Sequence, residues 1–177
     1  MAKNISAKEV ADEFTRDMVK ALSVLGYNAM MDAYKQRTFK HRTRNLHDSY
    51  GSAVYVNGVI VESSIRYLGG ILSRKTDHKT KKTGRQTLND YLHRVHFGEK
   101  NQEIVLVVAA AMYYAGILEA GDKSRGSRGP GSKYIVISPA RSYINSHMEE
   151  AVMKVYKKWG LRERPKARVI KGENIKV

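Results

Sequence analysis

The chain has 177 residues, of which 42% are hydrophobic and none is cysteine, and it carries a net charge of +15 from 32 Lys and Arg against 17 Asp and Glu. That length supplies one domain with a real core, burying roughly 70% of the unfolded surface, and leaves little room for two. The missing cysteine excludes a disulfide framework and a thiolate metal site, and no stretch reaches the ~18 apolar residues of a membrane span.

The charge is an argument about partners and not about fold. Nucleic acid, an anionic membrane surface and an acidic protein face are the candidates. The opening residues lack the apolar core of a signal peptide, so no export is expected.

Ser6 and Glu9 have the spacing of a capping box. Val10, Phe14, Met18, Leu22 and Leu25 then recur at three or four, which is one face of a helix. Gly26 is placed to end or kink that helix, and residues 27–34 then read as a second one, with Met30 and Met31 as core. A basic linker follows over 35–44. It leads to the turn formers Thr43, Asp48 and Ser49, with Leu46 as the lone anchor.

Asn57 and Gly58 divide two runs rich in valine, and both accept the positive φ of a type I′ turn, so an antiparallel hairpin is expected over 52–66. Residues 73–85 are strongly basic and almost free of apolar side chains, which reads as an exposed, mobile loop. A short helix is expected from Thr87, with Leu88, Tyr91, Leu92 and Val95 on one face. The whole insert, about 69–100, is expected to be a surface excursion.

Ile104–Ala110 is a continuous β-branched apolar run and reads as a strand buried on both faces, around which the rest is organised. Residues 112–121 then form a short helix or a bent strand end. A second flexible basic loop covers about 122–133, and residues 134–137 read as a second short strand. Ser138 offers a capping hydroxyl and Pro139 fits the first helical position. A long helix follows, with Ile144, Met148, Ala151, Val152, Val155 and Trp159 as its apolar stripe, and Gly160 ends it. Residues 161–177 form a basic tail in which Arg168, Val169 and Ile170 could add a strand to a neighbour's sheet edge. The organisation is therefore one domain over 1–160 plus that tail, with no internal repeat.

The chemistry of an enzyme is not found. No glycine loop of a phosphate-binding form is present, since Lys82, Thr83, Gly84 and Arg85 have the wrong flanks. His93 and His96 have a metal-compatible spacing but lack a third ligand, and read as exposed histidines. His47, Asp48 and Ser49 are adjacent on a turn and are not expected to face one another as a triad. The acidic residues are too dispersed to name a metal set for a nuclease. Glu119 sits among apolar residues, where pairing with an Arg or capping a turn is favoured over acid–base work. No catalytic, cofactor or metal site is expected.

Taken in order, these motifs resemble a known family. Thr43, Leu46 and Ser49 fit a Thr-Gly-x-Leu-(Arg/Lys)-x-Ser signature that precedes a β-hairpin. Tyr114, Ala115, Leu118, Glu119 and Gly121 fit a Tyr-Ala-x-x-(Val/Leu)-Glu-x-Gly signature. Ile137, Pro139 and Ala140 fit the apolar strand and Pro-Ala that open a long C-terminal helix. The chain is thus similar, over about residues 6–160, to the small tail-completion and head–tail connector (neck) proteins of tailed bacteriophages. It departs at Arg44, where the family has Gly, so the turn before Leu46 cannot rely on free positive φ. The insert 69–100 is also longer than the family pattern.

The resemblance implies an α+β fold, with a small curved antiparallel sheet packed by an N-terminal helix and a long C-terminal helix and with flexible basic loops. It implies a structural virion protein of the neck or tail, assembled in the host cytoplasm as a hexameric or dodecameric ring around the DNA channel. The implied partners are other copies of the chain and the portal or adaptor and tail proteins, with DNA in the channel left open and no membrane. The candidate interface or DNA-facing arms are Arg74, Lys75, Lys79, Lys81, Lys82 and Arg85, then Lys123, Arg125, Arg128 and Lys133, then Arg162, Arg164, Lys166 and Arg168. The alternative is a small basic nucleic-acid-binding protein. Against it, the 11 tyrosines are scattered rather than interleaved with basic residues as a stacking platform needs, and the charge reads as lying in loops.

Overall fold

The computed structural model describes residues 6–38, 44–64, 74–94, 103–120 and 135–162. The capping box forms as the spacing predicts: the Glu9 amide donates to Ser6 Oγ at 3.2 Å and the Ser6 amide to Glu9 Oε2 at 2.7 Å. From there α1 (Ala7–Gln36) runs unbroken for 30 residues. The expected break at Gly26 is absent. A Cβ at Gly26 would lie 2.8 Å from Leu106 Cδ1 and 2.9 Å from Ser52 Oγ. Glycine is there so that the helix can lie close on the sheet, which sequence periodicity alone does not reveal.

After the four-residue α2 (Asn45–Asp48) come β1 (Tyr50–Val56) and β2 (Val59–Ser64), and later β3 (Ile104–Ala110). The sheet order is β2-β1-β3, with both pairings antiparallel. Asn57 and Gly58 take φ of 51° and 80°, the hairpin turn their types call for. A bulge between Val54 and Tyr55 pairs Val54 with Glu62 and Tyr55 with Ile60, which leaves Val61 as the extra residue.

The centre of the described sheet is therefore β1, whose residues are nearly all buried, and not the apolar run of β3, which is at its edge among the described residues. Gly51, Ser52 and Ala53 disguise β1 in a hydropathy reading, yet small residues are what its two covered faces require. A Cβ on Gly51 would stand 2.4 Å from Leu88 Cδ2.

One face of the sheet presents Tyr50 and Val54, with Leu106 and Val108, to a core completed by Met18, Leu22, Leu25, Ala29 and Ala33 of α1. The other presents Ala53 and Tyr55, with Val107 and Ala109, to Leu88 and Leu92 of α3 (Gly84–Arg94). Leu88 and Leu92 are fully buried, so the α3 part of the insert is no surface excursion but the layer that covers the sheet's second face. Tyr55 fastens it by donating its hydroxyl to the Leu92 carbonyl at 2.5 Å.

The last helix, α5 (Ser138–Lys158), pairs antiparallel with α1. At one end Phe14 meets Tyr156 and Trp159 edge-on, at centroid distances of 5.6 and 6.0 Å. There Asp17 also accepts from Lys158 Nζ and Trp159 Nε1. At the other end Thr38 and Ile135 exchange two hydrogen bonds. The apolar stripes read from sequence for α1 and α5 hold, except that Val10 of α1 is 41% exposed. Gly160 terminates α5 at φ 68°. The result is α+β, with an open three-stranded sheet between α1 on one face and α3 on the other. None of the described helices is long and apolar enough to cross a membrane.

Candidate functional site

Residues from three distant parts of the chain meet where β1, α4 (Ala115–Ala120) and the start of α5 come together. Residues 135–137 are not the strand expected. Val136, Ile137 and Ser138 instead aim their amides at one carboxylate oxygen, Glu119 Oε1, at 3.3, 2.9 and 2.6 Å. These are donors a helix start leaves without internal partners. A carboxylate at that position also faces the positive end of the helix dipole. Ser138 therefore does not cap α5. Glu119, from another element, does so, which is the capping role its sequence setting favoured.

The same junction takes in the first segment. The Tyr50 hydroxyl donates to the Val136 carbonyl at 2.7 Å. Burial, and next the nearby Glu119 charge, raise the Tyr50 pKa far above the usual tyrosine range, so it remains a neutral donor. Ser49 Oγ donates to the Leu46 carbonyl at 2.8 Å, and the Ser49 carbonyl accepts from the Ala111 amide at 3.0 Å. Ala115 and Ala140 are buried in the same core, with Tyr114 and Leu118 packed against it, and Pro139 is buried beside Ala140 at the head of α5. Arg44 adopts φ 63°, so this position takes the left-handed conformation even without glycine, and the turn into α2 does use positive φ. Thr43 and Gly121 lie outside the described residues.

Next to this junction, His47 and Asp48 do face each other, contrary to expectation: His47 Nδ1 is 2.7 Å from Asp48 Oδ1, with both side chains 2% exposed. Ser49 is turned away to Leu46, so no triad is formed. The His47 ring meets Tyr34 edge-on at 4.7 Å, and the Arg37 guanidinium covers the Tyr34 ring at 3.6 Å. Burial pushes the His47 pKa below its usual value, and the Asp48 hydrogen bond opposes this only in part.

The basic residues fall into two sets. Lys123, Arg125, Arg128, Lys133, Arg164, Lys166 and Arg168 lie outside the described residues, and Arg162 is exposed just past α5. Arg74, Lys75, Lys79, Lys81, Lys82 and Arg85 belong to an ordered lobe. The expected unstructured loop is there a closed turn: the Asp77 amide donates to the Lys82 carbonyl at 2.8 Å and the Lys81 amide to the Asp77 carbonyl at 2.9 Å. Asp77 Oδ1 accepts from the amides of Lys79 and Thr80. Lys82 pairs with Asp90, holding that carboxyl below its usual pKa. Lys79 lies 4.8 Å from the centre of the Tyr113 ring. The turn is docked through Gly84, whose amide donates to Asn45 Oδ1 at 3.2 Å.

His93 Nδ1 is engaged with the Asn89 carbonyl at 2.8 Å, while His96 lies outside the described residues. Among the described residues, no three His, Asp or Glu are grouped to hold a metal. A shallow, open cleft of about 360 Å³ lies between α1 and α5, lined by Glu13, Arg16, Asp17, Lys20, Lys158 and Trp159.

Sequence reasoning missed Tyr50 and Asn45. Both act across 39 residues or more, and no local pattern encodes such a partner. Compared with known proteins, the chain matches no family model, no curated protein and no solved structure.

Proposed function

We propose that this chain is a structural subunit of a ring at the head–tail joint of a tailed bacteriophage, surrounding the channel that DNA crosses. The observation that carries this reading is the convergence of the three signature segments. Leu46 of the first, Ala115 of the second and Ala140 of the third lie in one core, Glu119 of the second accepts from the amide of Ile137 of the third, and Tyr50, which directly follows the first, donates to Val136, which directly precedes the third. Motifs scattered along a chain by chance have no reason to meet in space. Their hydrogen bonds are spent on shaping the frame, as suits a protein whose work is to hold a position.

The sheet offers a means of closing a ring. Both β2 and β3 are edges, and no strand among the described residues pairs with their outer sides. Because β1 runs antiparallel to each, β2 and β3 point the same way. A rotation that brings β3 of one copy beside β2 of the next gives a parallel, head-to-tail contact, the heterologous kind that closes into rings. Val59 and Val61 of β2 are 64% and 48% exposed. Glu62 and the bulge at Val61 interrupt this edge, and the apolar end at Val59–Val61 is the part a partner strand would cover.

Native mass spectrometry of nuclease-treated protein at ~0.1 M and at high salt tests the reading, since phosphate contacts weaken with salt. Closed rings are expected, and Val59→Lys with Val61→Lys is expected to abolish them while leaving the monomer folded. A monomer that retains oligonucleotide until salt is raised would count against the ring and for a small nucleic-acid-binding protein.

A further inference from the structure

The surplus charge of the described residues is not spread over the surface. Residues 74–94 hold seven Lys and Arg against two Asp, a surplus of five, whereas the remaining described residues balance at eleven basic and eleven acidic. Both acids of this lobe are engaged within it, Asp77 by backbone amides and Asp90 by Lys82. Neither is engaged with Arg74, Lys81 or Arg85, and Asp90 meets Arg94 only at a distance, as a lesser charge beside its bond to Lys82.

The lobe is also held in place. Its turn is closed by backbone hydrogen bonds, and its helix α3 is anchored by the buried Leu88 and Leu92. A charge cluster on a docked element keeps its spacing, which a solvated arm does not. Moreover, its exposed residues are all polar or charged. A protein–protein interface is built around an apolar or aromatic centre, and here the aromatic rings are half-buried, Tyr91 against the core and Tyr113 beneath Lys79. A polyanion needs no such centre, since neutralised phosphates release their counterions.

We infer that the 74–94 lobe is a docking surface for the phosphate backbone of duplex DNA, without regard to base sequence. Lysines and arginines on a turn and on the flank of a helix supply point charges for phosphates, which position a protein without reading bases. Lys79 stays beside Tyr113 and fixes one edge of the surface. In the ring proposed above, the lobe turns the α3 face of the sheet toward the channel and α5 away from it. That orientation rests on the ring reading, while the DNA contact does not.

The test uses the full chain and a fluorescent duplex of arbitrary sequence, with anisotropy read across a salt series. Arg74→Gln, Lys81→Gln and Arg94→Gln are combined in one variant. Lys8→Gln, Lys20→Gln and Lys157→Gln, which remove equal charge from α1 and α5, are combined in the control. The lobe variant is expected to lose at least about tenfold in affinity at ~0.1 M salt and to lower the log–log salt slope by about 2.7, while the control keeps most of both. Equal losses in the two variants would reduce the effect to net charge and overturn the inference, as would stronger binding of polyglutamate than of duplex. Lysine acetylation of the unaltered protein gives a second reading: DNA is expected to protect Lys79 and Lys81, and their full labelling on DNA would also overturn it. Assembly state is measured on the same samples. Rings without lobe protection sink the DNA surface alone, and lobe protection without rings sinks the ring alone.

Discussion

Removing the Glu119 carboxylate tests the junction most directly. In Glu119→Ala, the amides of Val136, Ile137 and Ser138 lose their common acceptor. Loss of an N-terminal cap costs about 0.5–2 kcal/mol, and loss of a negative charge at a helix N-terminus costs about 0.3–1 kcal/mol more. Glu119 is only partly buried, so water replaces some of what is lost. The expected cost is about 2 kcal/mol, or a fall in Tm of about 4–8 °C for a domain of this size. Glu119→Gln keeps an acceptor oxygen and gives up only the charge, for about 0.5–1 kcal/mol. Urea unfolding monitored by circular dichroism measures both, with an unchanged slope expected if the unfolded state is unaffected. Hydrogen exchange at the three amides should rise selectively in Glu119→Ala. If that variant lies within ~0.5 kcal/mol of the parent, or if Glu119→Gln is as damaging as Glu119→Ala, the remote cap is not what orders the start of α5.

Two further perturbations probe the frame. A Cβ at Gly84 would sit 1.8 Å from the Asn45 carbonyl oxygen, which is backbone and cannot swing aside; Gly84→Ala is expected to cost about 2–4 kcal/mol in urea unfolding, and a cost below ~1 kcal/mol would refute the close approach of α3 to α2. His47 in the folded chain binds its proton less tightly than its ordinary value of 6.5, so the unfolded state takes up more protons below that pH and stability falls as pH drops. Between pH 6.5 and about 5 this decline should flatten in His47→Gln, because Asp17, Asp90, Glu9 and Glu150, all held below their ordinary values, lose stabilisation only at lower pH. An identical pH profile for the variant would show that His47 is not the group responsible.

Local signals in the sequence were legible where one segment determines its own conformation. The capping box at Ser6, the Asn57–Gly58 turn, the stripe of α5 and its glycine stop all follow from side chains near one another along the chain. What stayed hidden depends on partners far away. Gly26 looks like a helix breaker until the sheet lies beneath it, and β1 looks weak until two layers demand small residues in its middle. The 136–138 segment has the composition of a strand, but its amides turn to the Glu119 carboxylate instead of a neighbouring strand. The basic run of 74–83 reads as unstructured because nothing in it announces Asn45 or Tyr113 as its supports. Glu119 was recognisable as structural by its setting, whereas its partner could be found only in three dimensions.

The link between Glu119 and the head of α5 has a mechanical consequence. It joins positions 17 to 19 residues apart in the chain, so the frame by itself fixes the distance between the two ends of the intervening chain. The entropy of closing a loop grows only with the logarithm of its length, about 0.6 kcal/mol for each doubling. Extra residues between Glu119 and Val136 should therefore leave the position of α5 unchanged so long as the Glu119 contacts persist.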